Sequence, residues 1–358
     1  MITREWPLLP VYATAGAFLF FDRLESVDTA LRAAVVFAWL FGIILWSAFA
    51  VVRHADALAE ILGEPFGTLI LTFAITAIEV MMIAAVMLKG PEVSTLARDT
   101  MFAVIMIVFN GMAGLALLLG GLRYHEQTYN LRGANAFLAV TIPLAVLVLV
   151  LPNFTEAPGA TLSTLHEVFL IVMSLALYGV FVAIQTLRHR HYFVAEEEEP
   201  KWPGMPDLRP AYYHGTLLVL YIVPIILLAK SIAVPIHYGV SVAGAPAALV
   251  GFVVAALILS PESLGAVRAA LANQLQRSIN LLLGSVLASI SLTIPAVLVI
   301  GMLTGRTVIL GLDAVDVVML TLTLGMTVLT YGSGRTNILL GAVHLLLFGA
   351  YIALILDR

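Results

Sequence analysis

Two glutamates stand where a carboxylate is expensive. Glu79 lies in Thr72-Phe73-Ala74-Ile75-Thr76-Ala77-Ile78-Glu79-Val80, and Glu262 in Ser260-Pro261-Glu262-Ser263-Leu264-Gly265-Ala266, directly after the apolar run 250–259. A charged side chain in hydrocarbon costs about 2.5–3.5 kcal/mol on insertion scales, so it persists where it has a partner or a task. Two such groups, one in each half of the chain, read as a shared cation and proton site. Calcium takes oxygen ligands, and two carboxylates would neutralise its charge. Emptied of the ion, two close carboxylates repel, and a low dielectric favours their protonation. Cation and protons then exclude each other, and reorienting the bare charged pair is costly. That penalty couples cation movement to counter-movement of protons, which describes an exchanger rather than a channel. A sodium or potassium ion could use the same pair if one glutamate kept its proton.

Neutral oxygens surround both carboxylates in the sequence. Thr68, Thr72, Thr76 and Glu79 recur at helical spacing and share one face. Each threonine alone reads as a hydroxyl satisfied on its own helix, but the stripe ends in a carboxylate. Pro261 cannot donate a backbone hydrogen bond, and carbonyls freed there could face a cation. The alternative is that Pro261 begins a new helix at the membrane surface, with Ser260 as its cap and Glu262 in its first turn. Ser285, Ser289 and Thr293 follow at four-residue intervals beside Gly284, as ligand oxygens or as small residues for close packing. Asn110-Gly111 and Gly114 have the same two readings. The expected site is therefore Glu79 and Glu262 holding the cation and protons, with Thr76, Ser260, Asn110, Ser285 and Ser289 around them. Among other ionisable groups, Lys230 snorkels along its helix, His166 and Glu167 fall near a helix end, and His344 reads as a hydrogen-bonded core histidine before a proton relay.

The elements that position these residues follow from composition. The 358 residues are 61% hydrophobic and 11% charged, with mean hydropathy +1.04. Soluble domains carry about 25% charged residues, so this is an integral membrane protein. Its apolar runs are continuous and about 20 residues long, the signature of spanning helices rather than of the short alternating strands of a barrel. The fold class expected is all-α and polytopic, with about eleven helices near 7–21, 30–52, 66–88, 100–121, 134–152, 162–187, 213–236, 243–260, 279–303, 312–331 and 336–356. The first is short for a span.

The longest polar stretch, 188–212, contains Glu196 to Glu199, a block of like charge that reads first as a solvated linker. Five helices precede it and five follow, once the first is set aside. Five is odd, so equivalent halves would enter the membrane in opposite senses, as in transporters with inverted repeats and a midplane site. The expected organisation is an extra helix over 1–29, a first repeat over 30–187, the linker over 188–212 and a second repeat over 213–358. With the N-terminus inside, Arg4, Arg53, Arg123, Arg132, Arg188, Arg190, Lys201, Arg209, Arg268, Arg277 and Arg335 fall on the cytoplasmic side. The other side receives Arg23, Arg32, Lys89, Arg98, Arg306 and Arg358, so the positive-inside rule favours this orientation.

Other functions find little support. The absence of cysteine removes disulfides, thiolate metal sites and iron–sulfur ligation. No phosphate loop, nucleic-acid motif or cofactor motif appears, and no cleaved signal peptide is expected over 1–19. An intramembrane enzyme would need a nucleophile, a metal or an acid–base cluster at one depth, and Gly311-Leu312-Asp313 lacks the Gly-Xaa-Gly-Asp arrangement of aspartyl intramembrane proteases. The expected partners are small cations, protons and the lipid bilayer, with no nucleic acid and no cofactor.

Several stretches carry a resemblance. Gly120-Gly121-Leu122-Arg123-Tyr124 through Gln127-Thr128-Tyr129-Asn130, Gly334-Arg335-Thr336-Asn337 leading to Gly341, and 54–67 with Glu60 and Gly63 resemble the cation/proton exchangers. These are the CAX branch of the calcium:cation antiporter superfamily, and the chain resembles the bacterial ChaA-type calcium/proton antiporters. The acidic block resembles the family's linker, while Glu262 with Gly265-Ala266, Gly284-Ser285 and Pro295 follows its second-repeat pattern. The resemblance implies a sodium/calcium-exchanger-like fold of two inverted five-helix repeats plus a first helix. It also implies a calcium/proton antiporter of the bacterial inner membrane, with Glu79 and Glu262 binding the ion and the helices at 30–52 and 213–236 sliding to switch access. The chain departs from the family's Gly-Asn-Ala before each glutamate. Its Asn positions are Thr76 and Leu259, its Gly positions are Ile75 and Ile258, and Ser263 replaces a frequent histidine.

Overall fold

The structure, a computed structural model, describes residues 5–21, 27–62, 66–89, 94–193, 209–242, 244–246 and 248–357. Among these residues the chain forms eleven helices. They are α1 (Leu8–Phe20), α2 (Ala30–Leu62), α3 (Phe66–Lys89), α4 (Leu96–Tyr124), α5 (Leu131–Leu149), α6 (Thr164–Arg188), α7 (Ala211–Ser241), α8 (Ala248–Leu271), α9 (Leu275–Thr304), α10 (Ala314–Tyr331) and α11 (Ile338–Leu356). Nine of the described helices are long and apolar enough to cross a membrane, and the described apolar part of α3, Thr72–Leu88, is shorter. The protein is thus an all-α polytopic membrane protein, as its composition requires. α1, at 13 residues, is short for a span. The acidic block Glu196 to Glu199 lies outside the described residues.

The helices group into two compact units, Met1–Val93 with Trp202–Pro261, and Ser94–Lys201 with Glu262–Arg358. Each unit draws on both sequential halves. In the first unit α2 and α7 pack along one another, and α3 packs against both. At 33 and 31 residues, α2 and α7 run about 45–50 Å, well beyond a hydrocarbon core of about 30 Å. α7 continues through Pro224 and Pro235.

In the second unit α4 and α9, the third helix of each half, are the most enclosed spans, whereas α6 and α11 are mostly uncovered. α4 closes on α11 through glycine. A Cβ on Gly341 would collide with the backbone of Leu118, and one on Gly114 would meet the Leu345 nitrogen at 2.9 Å. Close approach of this kind replaces the hydrophobic drive that lipid cannot supply. Outward residues such as Leu165, Leu303, Leu329 and Leu346 are exposed, as lipid-facing side chains must be.

The loops of the second unit sort into two sets. In one, β1 (Gln127–Thr128) pairs antiparallel with β2 (Arg335–Thr336). The next asparagines both cap helices: Asn130 accepts from the amides of Arg132 and Gly133 at the start of α5, and Asn337 from that of Leu340 in α11. Gln127 donates to the Ala270 carbonyl, and Gln276 accepts from the Asn130 amide. In the other set, Ile309 bonds Ser94, Gly311 bonds Ala160 and Leu312 bonds Leu149. Loops assigned by charge to one membrane side meet one another in each case.

Candidate functional site

Glu79 sits near the middle of the 24-residue α3 and is 2% exposed. Thr76, one turn earlier, is buried with Ile75, Ile78, Met82 and Ile83. Its helix is seated against α2 and α7, so the packing of that pair bears directly on the element that carries the carboxylate. Thr72 is half-buried, and the side chain of Thr68 lies outside the described residues.

Glu262 sits near the middle of the 24-residue α8. The helix anticipated to stop at residue 260 instead runs on to Leu271, with Pro261 inside it. The reading of Pro261 as a surface helix start, with Ser260 as its cap, is therefore corrected. Ser260 bonds backward through its hydroxyl to the Ala256 carbonyl within the same helix. Pro261 has no amide hydrogen to give the Leu257 carbonyl four residues earlier. The apolar run through Leu259 keeps the helix going, because in lipid the cost of leaving many backbone groups unpaired exceeds that of one missing bond.

Ser285, on α9, donates to Glu262 Oε2 at 2.5 Å. That bond orients the Glu262 side chain, and such a bond strengthens when its acceptor is ionised. Glu262 itself is half-buried, and Ser263 beside it is buried.

The two central helices share a further irregularity. α4 loosens into a π-helical turn over Met106–Met112, and α9 does so over Ser289–Thr293. π turns widen the helix and displace its backbone bonds, and they recur at functional sites. Asn110 lies in the first and Ser289 in the second; both are buried. Asn110 donates to Thr323 Oγ1 at 2.8 Å, and its Oδ1 lies 3.0 Å from His344 Nδ1. His344 Nε2 in turn meets Thr330 Oγ1 at 2.9 Å. Both nitrogens of His344 are engaged, as a core histidine requires.

Of the expected residues, the structure brings Ser285 to Glu262 and keeps Thr76 on the helix of Glu79 and Ser260 on that of Glu262. The described side-chain bonds of Asn110 run instead to Met106, Thr323 and His344. Two polar clusters escaped sequence reasoning. One joins Glu5, Arg53, His54, His214 and Tyr221; the other joins Thr95, Arg98, Asp99 and the Gly311 carbonyl. A signal existed for the first, since His54 and His214 flank loops assigned to one side of the membrane.

Comparison with known proteins agrees with this architecture. A model of the sodium/calcium exchanger protein family matches residues 32–187 and 214–356, one stretch in each half. The sodium-potassium/proton antiporter ChaA of Escherichia coli strain K12 is 43% identical over 350 residues, covering 96% of this chain and 94% of that protein. The solved structure of native YfkE superposes with TM-score 0.77 at 16% identity, covering 98% of this chain and 100% of the other. The crystal structure of the H+/Ca2+ exchanger CAX gives TM-score 0.70 at 16% identity, over 99% of this chain and 89% of the other.

Proposed function

Given that this chain belongs to the sodium/calcium exchanger protein family, we propose that it is a secondary antiporter exchanging sodium or potassium for protons. In this reading Glu79 and Glu262 take up the cation and the protons, Ser285 holds Glu262, and the α2–α7 pair switches access. Thr76, Ser260, Asn110 and Ser289 shape the surroundings. The membrane is the bacterial inner membrane, with the N-terminus and the linker cytoplasmic.

The observation that carries this reading is the pair of carboxylates at the middle of two 24-residue membrane helices. A carboxylate there must be neutralised by a cation or a proton, and transport follows from the exchange of one for the other. The residues beside them favour a singly charged ion. Thr76 and Leu259 stand where the calcium/proton pattern has asparagines, so two amide oxygens are missing from the ligand supply of an ion that takes six to eight. The name carried by the Escherichia coli relative, 43% identical, points the same way. Calcium is the second reading, favoured by the presence of two carboxylates, whose joint charge balances a divalent ion.

The test is cation-dependent proton flux in vesicles with an imposed pH gradient, comparing sodium, potassium and calcium. Glu79→Gln and Glu262→Gln should each abolish the flux while the protein stays in the membrane. Absence of flux with all three ions, or full activity in both variants, would refute the proposal.

A further inference from the structure

The first unit holds a titratable cluster well away from Glu79 in sequence. His54 on α2 and His214 on α7 are 2% and 5% exposed, and their Nδ1 atoms face each other at 3.0 Å. Arg53 Nη2 lies 3.2 Å from His54 Nε2. A guanidinium only donates, so His54 Nε2 accepts and the ring's proton sits on Nδ1. His54 Nδ1–H therefore donates across to His214 Nδ1. Beside this bond, Glu5 Oε2 accepts from Arg53 Nη2 at 2.8 Å and from the Tyr221 hydroxyl at 3.0 Å, and lies 3.5 Å from His54 Nε2. Tyr221 stacks on the His54 ring, and Tyr213 meets it edge-on with the Arg209 guanidinium above.

The groups facing the imidazole pair thus include Arg53 from α2, Glu5 from the segment before α1, and Tyr213 and Tyr221 from α7. The titratable groups of α3, which packs against both helices, are Glu79 and Lys89. Imidazoles take up and release protons, and two held in contact cannot both carry an N–H at the shared position.

We propose that His54 and His214 form a proton-operated latch between α2 and α7. The neutral pair holds the helices together through one bond. An added proton on His214 Nδ1 sets two N–H groups face to face, and one on His54 Nε2 opposes the Arg53 donor and turns toward Glu5. Either way the arrangement at this end of α2 and α7 must change. Because α3 packs against both helices, the change reaches the element carrying Glu79. As a regulator of transport, the latch rests on the antiporter reading; as a structural switch, it stands apart from it.

The experiment exploits a chain with no native cysteine. Spin labels on Glu60→Cys and Tyr212→Cys, both exposed positions near this end of the two helices, report their separation in liposomes. From pH 8 down to pH 4, the distance should lengthen by a few ångströms. His54→Asn or His214→Asn, which keep a donor and an acceptor but do not titrate, should remove that change. Both should keep flux at pH 8 within about threefold and lose the step in flux through the same range. His54→Gln serves as the conservative second variant should an asparagine variant fail to insert. A pH-invariant distance in the parent chain, or an unchanged shift in the variants, would overturn the latch. Failure of cation-dependent flux in the parent would count against the antiporter and leave the distance result standing.

Discussion

α3 and α8 are two solutions to one problem. Both are 24 residues long and both carry a glutamate near the middle. α3 runs through apolar residues without proline and holds Glu79 almost fully buried. α8 carries Ser260 and Pro261 directly before its glutamate, leaves Glu262 half-buried, and has Ser285 bonded to it. Glu79 thus lies in an unbroken, almost fully buried helix, whereas Glu262 has an identified hydroxyl partner and a proline in the turn before it.

The largest expected effect asks whether the two carboxylates serve one cycle. Each single Gln variant should lose about 100-fold or more in flux, and the double variant should be no worse than either. Groups that act as a unit lose their contribution together, whereas independent ones add. Multiplying losses in the double would break the comparison.

A smaller effect tests the asymmetry. Ser285→Ala removes a hydrogen bond to a charged acceptor, worth roughly 1.5–3 kcal/mol. Apparent cation affinity, measured from the concentration dependence of flux, should fall about tenfold or more. Thr76→Ala beside Glu79 should change it by less than about threefold. Equal effects would erase the distinction between the two helices.

The smallest effect makes α8 more like α3. Pro261→Ala restores an amide donor to the Leu257 carbonyl and removes a residue that disfavours helix interiors by about 3 kcal/mol. Thermal stability should rise, and flux should slow by about threefold. A variant that transports as fast as the parent would mean that the proline has no part in the cycle.

Much of this architecture is legible in the sequence, because a bilayer accepts few backbone solutions. Eleven apolar runs give eleven helices, and the mid-helix position of Glu79 follows from its flanking residues. The continuation of α8 past Pro261 is less legible. Pro261 after Ser260 is locally as good a helix start as an interior kink, and only the packed environment decides between them. The π turns around Asn110 and Ser289 are invisible to a periodicity argument, since one extra residue per turn leaves the apolar run intact. The Glu5, Arg53, His54, His214 and Tyr221 cluster unites residues more than 150 positions apart, so the shared membrane side of the loops beside His54 and His214 is its one trace in the sequence.

Proton release on cation binding tests the central claim most directly. Sodium, potassium or calcium added to the purified protein in weakly buffered detergent, with a pH indicator present, should liberate protons stoichiometrically with ion bound. The release should vanish in both Glu79→Gln and Glu262→Gln. Cation binding without proton release, or release that survives in both variants, would contradict exchange at these two carboxylates.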